Sequence, residues 1–178
     1  MKNKGMKITI AALAVLLIVS IFGNFGDNNE GTGNAAANTQ QKTTQLSQVS
    51  GTSFSVNEDK EICTEDGKPI IYLFSTTWCP HCQWIGETFR EFANKAESEG
   101  KAKVYQWEID INDDALTTEV ETEVPAEALA IYKEVNPRGS IPTFVFGCKY
   151  SRIGNGYERE DDLAAEMADF EKMLELIS

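Results

Sequence analysis

Residues 68–84 read KPIIYLFSTTWCPHCQW, and the part that decides the fold is residues 76–84, TTWCPHCQW. This part holds two of the four cysteines and the only histidine of the chain. Residues 68–75 form a short apolar run with β-branched and aromatic side chains, the pattern of a buried strand. A helix pattern follows at once. Cys82, Ile85, Phe89, Phe92 and Ala96 recur at helical spacing and share one face. Pro80 suits the first helical turn, where its missing N–H does no harm, and Gly100 suits the helix stop. Two thiols at such a strand–helix junction can staple structure, hold a metal or pass electrons. A staple closing so short a loop removes little chain entropy. A closed zinc site wants four ligands, and Cys79, His81 and Cys82 supply three.

Working outward, residues 102–111, AKVYQWEIDI, read as a second strand. Its alternation puts Val104, Gln106, Glu108 and Asp110 on one face and Tyr105, Trp107, Ile109 and Ile111 on the other. Residues 112–124 are acidic and irregular. Pro125 opens a short helix carrying Leu129, Ile131, Tyr132 and Val135. Residues 140–147, SIPTFVFG, read as a third strand with a proline near its start, and residues 152–157 as a fourth. A last helix spans about residues 161–177, with Leu163, Met167, Phe170, Leu174 and Ile177 on its apolar face. The order is β-α-β-α-β-β-α, a mixed α/β domain over residues 54–178.

The first 53 residues differ in kind. Lys2, Lys4 and Lys7 precede an uncharged apolar run, residues 8–22. A basic flank before such a run marks a secretory signal. Extended through Phe25 it is also long enough to anchor a membrane, with the lysines on the cytoplasmic side. Residues 1–25 are therefore expected to be a signal anchor or a signal peptide. The domain is expected to be membrane-anchored and extracytoplasmic, or secreted if the signal is cleaved. Residues 26–53 are dominated by Asn, Gln, Thr, Ser and Gly and read as a flexible tether. The folded part carries twelve Lys and Arg against twenty-six Asp and Glu, a net of -14. It has no basic cluster for a phosphate backbone, so nucleic acid is excluded as a partner.

These features together resemble the thioredoxin superfamily. The resemblance covers about residues 57–178. WCPHC stands at the end of a buried strand and opens a helix, the elements follow in order, and Ile141-Pro142-Thr143 resembles the family's cis-proline segment. The Pro-His pair between the cysteines is similar to that of DsbA-type disulfide oxidases. One position departs from the pattern. Where many members carry a buried acid six positions before the first cysteine, this chain has Leu73. The large helical insertion of DsbA is also missing.

The resemblance implies a protein thiol–disulfide oxidoreductase that needs no cofactor. Cys79, at the helix N-terminus, is exposed to free backbone N–H groups and the positive helix end, which favour a thiolate. His81 beside it adds to this when protonated and can donate a hydrogen bond to the sulfur, making the disulfide more oxidising. Cys79 then forms the mixed disulfide and Cys82, one turn further in, resolves it. Ile141 and Pro142 present backbone to a client strand. Trp78 stands beside the site as a packing residue or as part of the client surface. In the family fold the strands after Cys63 and before Cys148 are antiparallel neighbours, which implies a structural Cys63–Cys148 disulfide. Implied partners are cysteine-containing protein clients and a membrane or soluble redox partner. The oxidising compartment and His81 favour an oxidase or isomerase. Three rivals stand beside it: a membrane-tethered reductase, a metal-handling protein and a non-catalytic client-binding module.

Overall fold

A computed structural model of the chain describes residues 46–178. The elements are β1 (Ser47–Gln48), β2 (Ser55–Val56), β3 (Thr64–Glu65), β4 (Lys68–Ser75), α1 (Pro80–Ser98), β5 (Lys103–Glu108), β6 (Asp113–Asp114), α2 (Ala126–Val135), β7 (Thr143–Phe146), β8 (Tyr150–Ile153) and α3 (Leu163–Ile177). The sheet runs β1-β2-β8-β7-β4-β5-β6, and β3 pairs with the start of β4. Only β4 and β5 are parallel; β4 and β7 are antiparallel in the register Ile71–Phe146 to Phe74–Thr143.

The central strand explains its own sequence. Ile71 and Leu73 point into a core beneath α1 and α3, with Phe89, Phe92, Phe144, Phe146 and Phe170. Tyr72 and Phe74 point the other way, into a second core with Trp107, Ala128 and Tyr132 beneath α2. A strand covered on both faces has no use for alternation, so β4 is a continuous apolar run.

Element boundaries move where local chemistry overrides pattern. The third strand starts at Thr143, because Ile141-Pro142 is a cis peptide and Pro142 has no N–H for the ladder. Gly147 and Cys148 both take positive φ and turn the chain, so the fourth strand occupies 150–153 and not 152–157. The second strand ends at Glu108. Asn112 takes positive φ, and Ile111 is exposed instead of sharing the face of Trp107. Gly147 is needed twice over. A Cβ there would lie 3.0 Å from two Ile62 carbons and 3.3 Å from Ile177, at φ +58°. Gly147→Ala is therefore expected to lower stability by about 1–3 kcal/mol. A denaturation midpoint equal to that of the parent would show that Ile62 yields freely.

Two expectations need correction. The folded region begins before residue 54. β1 pairs with β2, Thr52 is buried, and the Ser53 N–H donates to Asp169 Oδ2 at 3.0 Å. Polar composition hid this, because hydrogen bonds hold much of the segment and Val49 packs against the core. On α3, Leu163 is exposed, whereas Glu166 and Asp169 are buried. They neutralise Arg152 of β8, whose Nη2 donates to Glu166 at 2.6 Å and whose Nη1 donates to Asp169 at 3.3 Å. The guanidinium lies 4.7, 4.5 and 5.3 Å from the Phe54, Phe144 and Phe170 ring centres. Burial pulls it below its ordinary pKa, against the two carboxylates.

Residues 1–25 and most of 26–53 lie outside the described residues. Among those described, no helix is long and apolar enough to cross a membrane.

Candidate active site

β4 delivers the chain to the site and α1 presents it. Between them, Thr77 is fixed by Asp110 at the end of β5. The Thr77 N–H lies 3.1 Å from Asp110 Oδ1, and its hydroxyl donates to Oδ2 at 2.6 Å. Gln83 Nε2 donates to the Thr77 carbonyl at 2.7 Å. The turn is thereby held from both sides, and Cys79 becomes the N-cap of α1.

The Cys79 sulfur accepts the Cys82 N–H at 3.4 Å. This is one of the N–H groups that a helix start leaves without an internal partner. Both thiols are free, and both are buried, at 3% and 5% exposed. Burial first, then the Cys79 side chain, push the Cys82 thiol up to about 12, against a backbone hydrogen bond from Thr76. The departure noted at Leu73 is real: the side chain is fully buried in the apolar core.

Pro142 and Ile141 stand at the same end of the sheet, since Thr143 begins β7 beside Phe74. The loop is held from α2. Tyr132 Oη donates to the Ser140 carbonyl at 3.1 Å, and Asn136 Nδ2 donates to it at 2.6 Å and to Thr143 Oγ1 at 2.8 Å. The Pro142 carbonyl accepts Gly154 N–H. Among the described residues, nothing hydrogen-bonds the Ile141 backbone. A groove of about 710 Å³ joins this loop to His81, Gly154, Asn155 and Glu158.

A thiol pair at a helix start and a cis-proline loop thus stand at one end of the mixed sheet. A family model for the thioredoxin-like domain matches residues 56–171. The chain belongs to the thioredoxin-like family. Among solved structures, it is similar to the germline-specific thioredoxin Deadhead (Thioredoxin-1) of Drosophila melanogaster. That likeness covers 57% of this chain and 83% of the other, at 26% identity and a TM-score of 0.35. No curated protein matches the chain.

Several residues of this thioredoxin-like site were not legible in spacing. His81 is exposed, and its Nδ1 lies 2.7 Å from Glu158 Oε1. No hydrogen bond joins His81 to the Cys79 sulfur among the described residues, so that expected contact gives way to the one with Glu158. Burial pushes the Glu158 carboxyl up, but hydrogen bonds from His81 and Asn155 outweigh it and hold it below its ordinary value. Asn155 Nδ2 donates to both Glu158 and the His81 carbonyl. Glu166 then fixes the groove wall by accepting Gly156 N–H at 2.6 Å and Tyr157 N–H at 2.9 Å. Trp78 does not pack; it is 68% exposed beside Cys79. Among the described residues no cluster of three or more His, Cys, Asp or Glu could hold a metal ion. Cys63 and Cys148 are disulfide-bonded at the far end of β4 and β7.

Proposed function

We propose that the chain is an extracytoplasmic thiol–disulfide oxidoreductase that exchanges disulfides with cysteine-containing protein clients through Cys79 and Cys82. The observation that carries this reading is the asymmetry of the pair. Cys79 caps α1 and receives a backbone N–H at its sulfur, while the Cys82 thiol is pushed up to about 12. One sulfur is met by a backbone donor at the helix start and the other is held as a thiol, the asymmetry that attack and resolution require. The free Ile141 backbone suits an extended client strand. The groove beside Pro142 and His81 and the exposed Trp78 next to Cys79 offer surface for such a client. The Cys63–Cys148 disulfide and the basic-flanked apolar run at residues 8–22 support an oxidising compartment and a membrane anchor or signal.

For the direction of electron flow we propose oxidation or isomerisation of client cysteines. An oxidase or isomerase needs the reduced pair stabilised, and the Cys82 N–H directed at the Cys79 sulfur supports that. A second reading, a tethered reductase, is favoured by Glu158, which engages His81 Nδ1 at 2.7 Å and leaves the Cys79 sulfur without a contact from it. The reduction potential of Cys79–Cys82, measured on the full chain in detergent against glutathione buffers, decides between them. The expected value lies clearly above the roughly -270 mV of a reducing thioredoxin. A value at or below that figure would establish the reductase and with it the need for an electron source.

A further inference from the structure

The Cys82 thiol must lose a proton when it resolves the mixed disulfide and regain one when it leaves the internal disulfide. Leu73, where a family acid would stand, offers none. A cavity of about 260 Å³ lined by Cys82 lies between α1 and the end of β5. Its wall is polar. Thr76 Oγ1 and Gln106 Oε1 are buried there without a protein hydrogen-bond partner. Buried polar atoms of this kind are ordinarily satisfied by water, and the volume holds several molecules at about 30 Å³ each. Gln106 and Glu108 stand two apart on one face of β5, level with Leu73 and Ser75 of β4. Glu108 also lines the cavity.

We infer that Glu108 exchanges the Cys82 proton through water held in this cavity, in place of an acid at position 73. The inference rests on the redox reading above. In resolution, the Cys82 sulfur attacks Cys79, the Cys79–Cys82 bond forms and the Cys79–client bond breaks. The Cys82 proton passes to the Glu108 carboxylate, and the client sulfur leaves with the electron pair. In the reverse sense, a client thiolate attacks Cys79 and Cys82 leaves as a thiolate. Protonated Glu108 then returns the proton. No outside oxidant enters either step.

The surroundings fit this role. Burial first, then the Asp110 and Asp113 carboxylates, raise Glu108 above its ordinary value, against Arg90. A carboxyl poised upward is a better proton store near neutral pH. The charged groups facing it are Glu87 and Arg90 on α1, Asp110 beyond β5 and Asp113 on β6. Asp110 is the rival, since its charge also acts on Cys82. Both its oxygens are engaged by Thr77, however. Although burial opposes it, those hydrogen bonds hold it below its ordinary value. An acid held ionised stores a proton poorly.

The test is the rate at which glutathione reduces the Cys79–Cys82 disulfide in the full chain, followed by tryptophan fluorescence from pH 4 to about 9. Glu108→Gln is expected to slow the step by about 10²-fold near neutral pH and to erase one limb of the pH profile. Glu108→Asp should keep that limb with its midpoint moved. A uniform slowing with the profile unchanged would mark Glu108 as merely structural and overturn the inference. So would loss of the limb in Asp110→Asn or Glu87→Gln with Glu108→Gln unaffected. A Cys79→Ser chain that still exchanged disulfides would sink the redox reading itself, an outcome separate from these.

Discussion

Cys79→Ser is expected to abolish disulfide exchange, and Cys82→Ser to stop it halfway. Loss of a nucleophile costs on the order of 10³-fold or more in rate. No other thiol in the described residues can substitute, because Cys63 and Cys148 are bonded to each other. The two variants differ because the two sulfurs do. Near neutral pH the Cys82 thiol, pushed up to about 12, is almost wholly protonated. Cys79 has the Cys82 N–H pointed at its sulfur and meets the client first. Without Cys82 the mixed disulfide has no internal resolver and accumulates. The check is mass spectrometry of each variant after incubation with a reduced, unfolded multi-cysteine protein under an oxidising glutathione buffer. A covalent adduct should appear for Cys82→Ser and none for Cys79→Ser. Retained exchange in Cys79→Ser would leave the client-binding module as the surviving reading.

The parts of the fold that were legible in the sequence are those where one force dominates. β4 is set by burial on both faces, and its ends at Lys68 and Ser75 coincide with the apolar run. Pro80 and Gly100 bracket α1 through backbone sterics alone, and the helix spans Pro80–Ser98 between them. The resemblance carried by Ile141-Pro142 implied a cis peptide there, and the structure has one. What stayed hidden depends on side chains meeting across long sequence gaps. Glu158 reaches His81 over 77 positions and Asp110 reaches Thr77 over 33. Neither pairing leaves a periodic trace, and in a chain this acidic each carboxylate passes for surface charge. Glu166 and Asp169 misled for the same reason. An acidic residue on an amphipathic helix reads as solvent-facing, yet here the two fill buried positions because Arg152 lies opposite.

Removing the second cysteine pair is expected to cost stability without touching the chemistry. Cys63 and Cys148 close a loop of 85 residues. In the chain-entropy account, cross-linking so long a loop is worth about 4–5 kcal/mol. That is a large share of the roughly 5–15 kcal/mol that holds a domain folded. Cys63→Ser with Cys148→Ser should therefore lower the denaturation midpoint strongly. The slope should rise as well, because the unlinked denatured chain exposes more surface. The reduction potential of Cys79–Cys82 should stay where it is. β4 runs from the disulfide to the redox pair, and β7 runs back from Pro142 to Cys148. Six residues at about 3.3 Å put the pairs roughly 20 Å apart, too far for direct exchange. A midpoint within about 1 kcal/mol of the parent would mean the reduced loop is already held by the sheet. A shifted potential would mean the two pairs communicate through the strands. The expected combination, a weakened fold with unchanged redox chemistry, also bears on location. A domain that leans this heavily on one disulfide gains from it only where thiols are oxidised, which is the compartment proposed for its activity.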